Sequence, residues 1–329
     1  MNDRMRLIEE ISEVRESSII CYVSGDRQNI STRIAPDIIP VFYKHLQALP
    51  AKDKIDLFLF TKGGDVHTAI RLVELIYEFI KNFSVLIPFK AYSAGTLLAL
   101  GASEIVMTKM GELSPVDPNI TSMFNPQDPR NPVAKLPVNV EDVHAFFSVT
   151  KDLGIKNEAA MVEILSRLLE NVHPLALGSL YRSSSLIRAI AKKLLLNHID
   201  SSQTDRISTI VDNLTRKFYS HSYMISRKEA AENIKLPVTY CPEELETKLM
   251  QLYEIYERDL YLDIPFVPEL NSDDQGRFNV SSGIIESSTR TDEYIFEGMV
   301  DRLGNVDMSG NVNIISQGWK RVQGGQAFE

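Results

Sequence analysis

Ile55-Asp56-Leu57-Phe58-Leu59-Phe60-Thr61-Lys62-Gly63-Gly64-Asp65 is followed, about thirty residues on, by Tyr92-Ser93-Ala94-Gly95-Thr96. Both stretches lie where an apolar run gives way to small or polar residues just before a helical pattern. Ile55–Phe60 is too short for a helix and nearly all apolar, which reads as a strand buried on both faces. From Thr68 to Phe83, Ile70, Val73, Ile76 (with Tyr77) and Ile80 recur at helical spacing, with Arg71, Glu74, Glu78 and Lys81 between them. Val85-Leu86-Ile87 reads as the next strand, Ser93 to Ala102 as a short apolar helix, and Glu104 to Thr108 as another strand. Strands alternating with crossover helices predict an α/β core with a parallel sheet.

Upstream, Ile19-Ile20-Cys21-Tyr22-Val23 extends the strand pattern, with a helix expected around Asp37 to Leu49. Beyond Gly111 the chain turns rich in Pro, Asn and Asp, which predicts a long surface loop as far as Pro137. Helices are expected near Val140 to Leu153, Ala159 to Glu170, Leu175 to Asn197 and Asp205 to Ser220. The expected organisation is a main domain over 1–240, a helical extension over 241–270, and a C-terminal tail or arm over 271–329 with short β-like pieces such as Tyr294-Ile295-Phe296 and Val312-Asn313-Ile314-Ile315.

Composition bounds the function. The chain has 329 residues, 44% of them hydrophobic, enough for a substantial core. Its formal net charge of -9, with no strongly basic stretch, argues against nucleic acid as a partner. Cys21 and Cys241 lie far apart and outside any metal-ligand spacing, which fits a reducing compartment and no disulfide framework. The charged N-terminus lacks a signal-peptide apolar run, and no stretch reaches the roughly 18 to 20 apolar residues a membrane span needs. A cytoplasmic location is the expectation. No Gly-x-x-x-x-Gly-Lys-Ser/Thr signature and no context for a pyridoxal phosphate lysine is present, so no cofactor is expected.

The two junctions carry the chemistry. Paired glycines after a strand adopt unusual backbone angles and present bare N–H groups where negative charge is favoured. Ser93 stands at a strand-to-helix junction, on the carboxyl side of the sheet where open α/β folds bind ligands. Each feature alone has a structural explanation: Ser is a common N-cap, and Gly-Gly after a strand is usually a turn.

In this order and spacing, the glycine pair, helix, strand and Ser-Ala-Gly-Thr resemble the Clp protease and signal peptide peptidase A superfamily. Within it, the chain is most similar to the serine dehydrogenase proteinases, a family of Clp-class serine peptidases. The resemblance continues through Glu104-Ile105-Val106-Met107, Ser114-Pro115-Val116-Asp117-Pro118, His173-Pro174-Leu175-Ala176-Leu177-Gly178 and Ser220-His221-Ser222-Tyr223-Met224-Ile225-Ser226, and covers roughly residues 5 to 240. It implies a Clp/crotonase-like layered β-β-α spiral core, with additional helices and the β-containing tail. It also implies ATP-independent peptide hydrolysis, with Ser93 as nucleophile and the N–H groups of Gly64 and Ala94 as the oxyanion hole. Peptide or protein substrates and a homo-oligomeric assembly follow from the same likeness.

The general base is open. Clp protease subunits carry a His about twenty-five residues after the serine, where this chain reads Val116-Asp117-Pro118. Signal peptide peptidases use a Lys, which in related single-domain enzymes lies about forty residues after the serine; Lys135 falls near that spacing. His67, His173 and His221 compete for the role, and Asp117 is a candidate to orient a base. Lys62 stands where relatives commonly have Pro. Two other readings remain: a crotonase-type acyl-thioester enzyme, and a catalytically degenerate assembly module.

Overall fold

Side chains along a strand point alternately to its two faces, so an unbroken apolar run needs cover on both. The computed structural model describes residues 3–116, 119–120, 123–136, 138–155, 157–216, 223–301, 311–323 and 326–327. In chain order the elements begin with α1 (Asp3–Arg15), β1 (Ser18–Ser24), α2 (Ile38–Ala48), β2 (Ile55–Phe60), α3 (Val66–Phe79), β3 (Phe83–Ile87), β4 (Lys90–Ala91), α4 (Ala94–Leu100), β5 (Glu104–Met107) and β6 (Glu112–Leu113). Then come β7 (Asn119–Ile120), β8 (Gln127–Asp128), β9 (Asn131–Lys135), β10 (Val138–Asn139), α5 (Val140–Asp152), α6 (Glu158–Asn171), α7 (Pro174–Leu195) and α8 (Thr204–Arg216). The last are β11 (Ile225–Ser226), the single turn α9 (Arg227–Glu229), β12 (Val238–Tyr240), α10 (Glu243–Asp259), β13 (Arg277–Ser287), β14 (Arg290–Asp301), β15 (Asn311–Gln323) and β16 (Gln326–Ala327).

The main sheet runs β12-β5-β3-β2-β1-β13-β14-β15-β16, parallel from β12 to β1 and antiparallel from there on. One set of side chains, among them Ile20, Tyr22, Leu57 and Leu59, packs with Leu72 and Ile76 of α3, Leu97 of α4 and Leu194 of α7. The alternate set, Cys21, Val23, Phe58, Phe60 and Leu86, packs with Leu7, Ile8 and Ile11 of α1 and with Leu249, Leu252 and Tyr256 of α10. Fully burying a side chain such as Phe58 contributes about 2–3 kcal/mol.

A second, shorter layer sits past the carboxyl ends of the parallel strands. Isolated bridges join Ile34 to Gly64 and Thr61 to Ala91, and short pairings join β4 to β6 and β6 to β11. Each turn of the chain therefore lays down a core strand, a short second strand and a helix: β2, residues 61–64, α3; then β3, β4, α4. This is the expected Clp-type β-β-α spiral, and it brings the Gly63-Gly64 turn beside Ser93.

The tail differs from the expectation in strand length. β13, β14 and β15 run for 11, 12 and 13 residues, and β13 continues the core sheet by pairing with β1. Polar residues within these strands, among them buried Ser282, Glu286, Ser287 and Asp292, obscure their apolar alternation. Buried His45 of α2 holds the hairpin in place, its Nε2 3.0 Å from Asp292 Oδ2 and its Nδ1 2.9 Å from Ser287 Oγ. The expected long loop after Gly111 is organised by the short strands β6 to β9. Among the described residues no helix is long and apolar enough to cross a membrane.

Candidate active site

Backbone pairing between two strand ends builds the site. The Thr61 N–H donates to the Lys90 carbonyl at 2.8 Å, and the Tyr92 N–H donates to the Thr61 carbonyl at 3.0 Å. That ladder brings Gly63 against the serine junction. A Cβ on Gly63 would lie 2.7 Å from the Tyr92 carbonyl oxygen, 2.8 Å from the Ser93 Cβ and 3.1 Å from the Ala94 nitrogen, and its φ is +102°. Only glycine tolerates both the angle and the approach.

Gly64 is fixed from the other side. The Ile34 N–H donates to the Gly63 carbonyl at 2.9 Å and the Asp65 N–H donates to the Ile34 carbonyl at 2.8 Å. In a parallel bridge the flanking residues make these bonds, so the N–H and C=O of Gly64 itself face the opposite edge. Asp65 then caps α3, accepting from the Thr68 N–H at 2.7 Å and its hydroxyl at 2.6 Å.

Ser93 has φ +53° and ψ -113°, and its hydroxyl makes no capping bond. A non-glycine residue held in such a region costs on the order of 1–3 kcal/mol and persists only where its surroundings enforce it. Here the enforcement comes from the chain beyond β5. The Ser93 N–H donates to Ser114 Oγ at 2.8 Å, and that hydroxyl donates to the Pro115 carbonyl at 3.0 Å. Thr96 Oγ1 lies 2.9 Å from the carbonyl oxygens of both Ala91 and Ser114, and accepts from the Ser114 N–H at 3.2 Å.

The result is a pair of open donors. The Gly95 N–H donates to the Tyr92 carbonyl at 2.8 Å and the Leu97 N–H to the Ser93 carbonyl at 3.1 Å. Among the described residues the N–H groups of Gly64 and Ala94 have no partner. Half-buried Ser93 lies between two segments whose free donors are suited to an oxygen that gains negative charge. Tyr92, one residue before it, is tied to Glu112 by a hydrogen bond from its hydroxyl to Oε2. Burial and that bond raise the Tyr92 pKa and keep the phenol protonated.

The other predicted site residues make no hydrogen bond to Ser93, Gly64 or Ala94 among the described residues. Lys135 ends β9, half-buried, and its side chain has neither hydrogen bond nor ion pair among the described residues. His67 is exposed on the first turn of α3, two residues beyond the capping Asp65. His173 caps α7, its Nδ1 accepting from the Leu175 N–H at 3.1 Å while its ring stacks on Phe124 at 5.1 Å. Asp117 and His221 lie outside the described residues. Lys62 reaches back to Asp26 at 3.2 Å. Sequence reasoning missed the parts played by Ser114, Thr96 and Ile34. Thr96 and Ser114 stand in the quoted motifs, but their contacts with each other and with Ser93 join positions 18 and 21 residues apart, which no local pattern encodes. Among the described residues no group of His, Cys, Asp and Glu side chains has the arrangement of a metal site.

A cavity of about 400 Å³ opens beside the glycine turn, lined by residues of the 26–33 segment together with Lys62, Gly63 and Gly64. Ser93 is not among its lining residues.

The chain is 26% identical over 263 residues to uncharacterized protein MJ0137 of Methanocaldococcus jannaschii, covering 76% of this chain and 78% of that protein. A second protein of that organism, MJ1495, is 30% identical over 128 residues, covering 36% and 42% of the two chains. Among solved structures, a mutant of the 1510-N membrane-bound stomatin-specific protease in complex with a substrate peptide aligns with TM-score 0.38 and 15% identity, over 65% of this chain and 74% of that one. Another mutant of the same protease gives TM-score 0.36 and 14% identity, over 68% and 80%. The family model for ClpP-like SDH-type serine proteinases matches residues 1–173, more than half of the chain. The chain belongs to the ClpP-like SDH-type serine proteinase family.

Proposed function

We propose that this chain hydrolyses peptide bonds, without an ATP-driven module of its own, by acyl transfer to Ser93. The observation that carries the reading is the pair of unpartnered N–H groups, on Gly64 and Ala94, beside a serine held at φ +53°. Ser93 Oγ attacks the scissile carbonyl carbon, and the carbonyl oxygen becomes an oxyanion that accepts from both donors. Collapse of the tetrahedral species breaks the C–N bond and leaves an ester on Ser93. The departing amine takes up the proton the serine gave, and water then hydrolyses the ester. Loss of one such donor typically costs on the order of 100-fold or more in rate.

For the proton transfers we assign Lys135, which as the neutral amine can take the Ser93 proton; its side chain has no carboxylate partner among the described residues and lies in the β8–β9 hairpin between β6 and α5. The alternative is His67, which follows the Gly64 turn on α3. The buried free thiols of Cys21 and Cys241 accord with a cytoplasmic enzyme.

Assembly into a homo-oligomer is part of the same reading. α6 carries Met161, Val162, Ile164, Leu165, Leu168 and Leu169, yet none of its residues is buried. Its apolar face is only partly covered, with Met161, Ile164, Leu168 and Leu169 half-buried and Val162 and Leu165 exposed, and such a helix is stabilised by packing on a neighbour.

The test is labelling with a fluorophosphonate probe, mapping the adduct by peptide mass spectrometry, with Ser93→Ala as control. An adduct on Ser93 supports the nucleophile. Absence of adduct from pH 6 to 10 would shift the assignment to an assembly module, and retention of acyl-coenzyme A would shift it to thioester chemistry.

A further inference from the structure

The cavity beside Gly63-Gly64 carries a charge opposite to that of the whole protein. Its lining includes Arg27, Arg33 and Lys62 against a single carboxylate, Asp26, in a chain of net charge -9. Asp26 is already engaged by Lys62 at 3.2 Å and by Lys90 at 3.4 Å. Exposed Arg33 has no ion pair among the described residues. Buried Arg27 is fixed by neutral groups: its Nε donates to the Ile264 carbonyl at 2.8 Å, its Nη2 to Asn271 Oδ1 at 3.4 Å, and the rings of Tyr261 and Phe266 each lie 5.3 Å from its guanidinium carbon. Among the described residues Arg27 makes no ion pair, and the carboxylate whose charge favours its guanidinium is that of Asp263; desolvating a cation is costly unless an anion compensates.

We propose that this cavity is a substrate subsite for a carboxylate of the peptide whose scissile carbonyl sits on Gly64. The carboxylate is either an acidic side chain near the scissile bond or the peptide's own C-terminus. The proposal rests on the Ser93 reading above, since the wall shared by cavity and oxyanion donor is Gly64 itself. At about 400 Å³ the space falls within the range of small-ligand sites. Exposed Arg33 supplies forked N–H donors of the type that bind carboxylates in pairs, and Arg27, its Nε and Nη2 already engaged, adds positive charge to the wall.

The experiment uses matched peptides, Glu against Gln at each position near the cleavage point, each with free or amidated C-terminus. Binding to Ser93→Ala protein is measured by calorimetry, and fluorophosphonate labelling of the wild type is run in parallel. The expected result is about five- to tenfold tighter binding of the carboxylate form, lost in Ser93→Ala protein that also carries Arg33→Gln, with an unchanged melting temperature. A Glu-over-Gln difference identifies the side chain, whereas a free-over-amidated difference identifies the terminus. Equal binding of all four peptides, no binding of any, or a preference that survives both Arg33→Gln and Lys62→Gln would overturn the subsite. A missing adduct on Ser93 would overturn the nucleophile instead, and the binding preference is read independently of it.

Discussion

Gly63 and Ser93 are packed so closely that a Cβ on the glycine would stand 2.8 Å from the Cβ of the serine. The glycine turn and Ser93 are therefore one closely packed unit. Gly63→Ala adds an atom at φ +102° that also meets the Tyr92 carbonyl oxygen at 2.7 Å. The expected outcome is a loss of about 1–3 kcal/mol in stability and at least a tenfold slower fluorophosphonate reaction, read by thermal melting and adduct kinetics. Wild-type kinetics in the variant would contradict the unit.

Strain at Ser93 has its own signature. Its φ of +53° with ψ -113° is open to glycine and unfavourable to any residue with a Cβ. Ser93→Gly and Ser93→Ala both remove the hydroxyl, but only the first relieves the strain. Ser93→Gly is expected to be more stable than Ser93→Ala by about 1 kcal/mol, measured by denaturant unfolding. Equal stability of the two would mean the backbone angle is not strained.

The residues legible in the sequence are those whose roles are local. A strand, a turn and a helix start within ten residues mark both Gly64 and Ser93, and the apolar runs of β1, β2 and β3 declare a sheet covered on both faces. What holds these parts is not local. Ser114 reaches Ser93 across 21 positions, and His45 reaches Asp292 across 247. No periodicity encodes such contacts. The same holds for β13 to β15, where buried polar residues such as Glu286 and Asp292 break the apolar pattern of strands that complete the core sheet.

Ser114 holds the backbone of Ser93 in place. Its buried Oγ accepts from the Ser93 N–H at 2.8 Å, so Ser114→Ala leaves that donor without its partner. The expected cost is about 1–3 kcal/mol in stability. A fall in the rate constant for acylation, with binding of the intact peptide to Ser93→Ala protein unaffected by the same change, separates positioning from general loosening. Ser114→Thr, which keeps the oxygen, should recover part of the rate.

The two candidate bases are separable by rate. General-base help is worth typically 10²–10⁴-fold, so Lys135→Met is expected to slow acylation of Ser93 by about 100-fold or more, while His67→Gln changes it less than about threefold. The reverse order would move the role to His67. No effect in either would place the proton transfer on a group outside both.

Acid stability depends on a cluster at the far end of the sheet from the active site. Glu104 accepts from Arg15 Nη2 at 2.6 Å and from Lys54 Nζ at 3.2 Å, and Arg15 also binds buried Asp56 at 2.7 Å. Burial alone would raise the Glu104 pKa; the Arg15 hydrogen bond, its charge and that of Lys54 outweigh it and bring the pKa from 4.5 down to about 2. A carboxylate held below its unfolded value stabilises the fold fully above about pH 4.5, and the contribution is lost as pH falls through 2. Glu104→Gln is therefore expected to be less stable than wild type by about 1–3 kcal/mol at pH 7. Its melting temperature should approach that of wild type as pH drops from 4.5 toward 2. A gap that stays constant over that interval would mean the ion pair contributes no pH-linked stability.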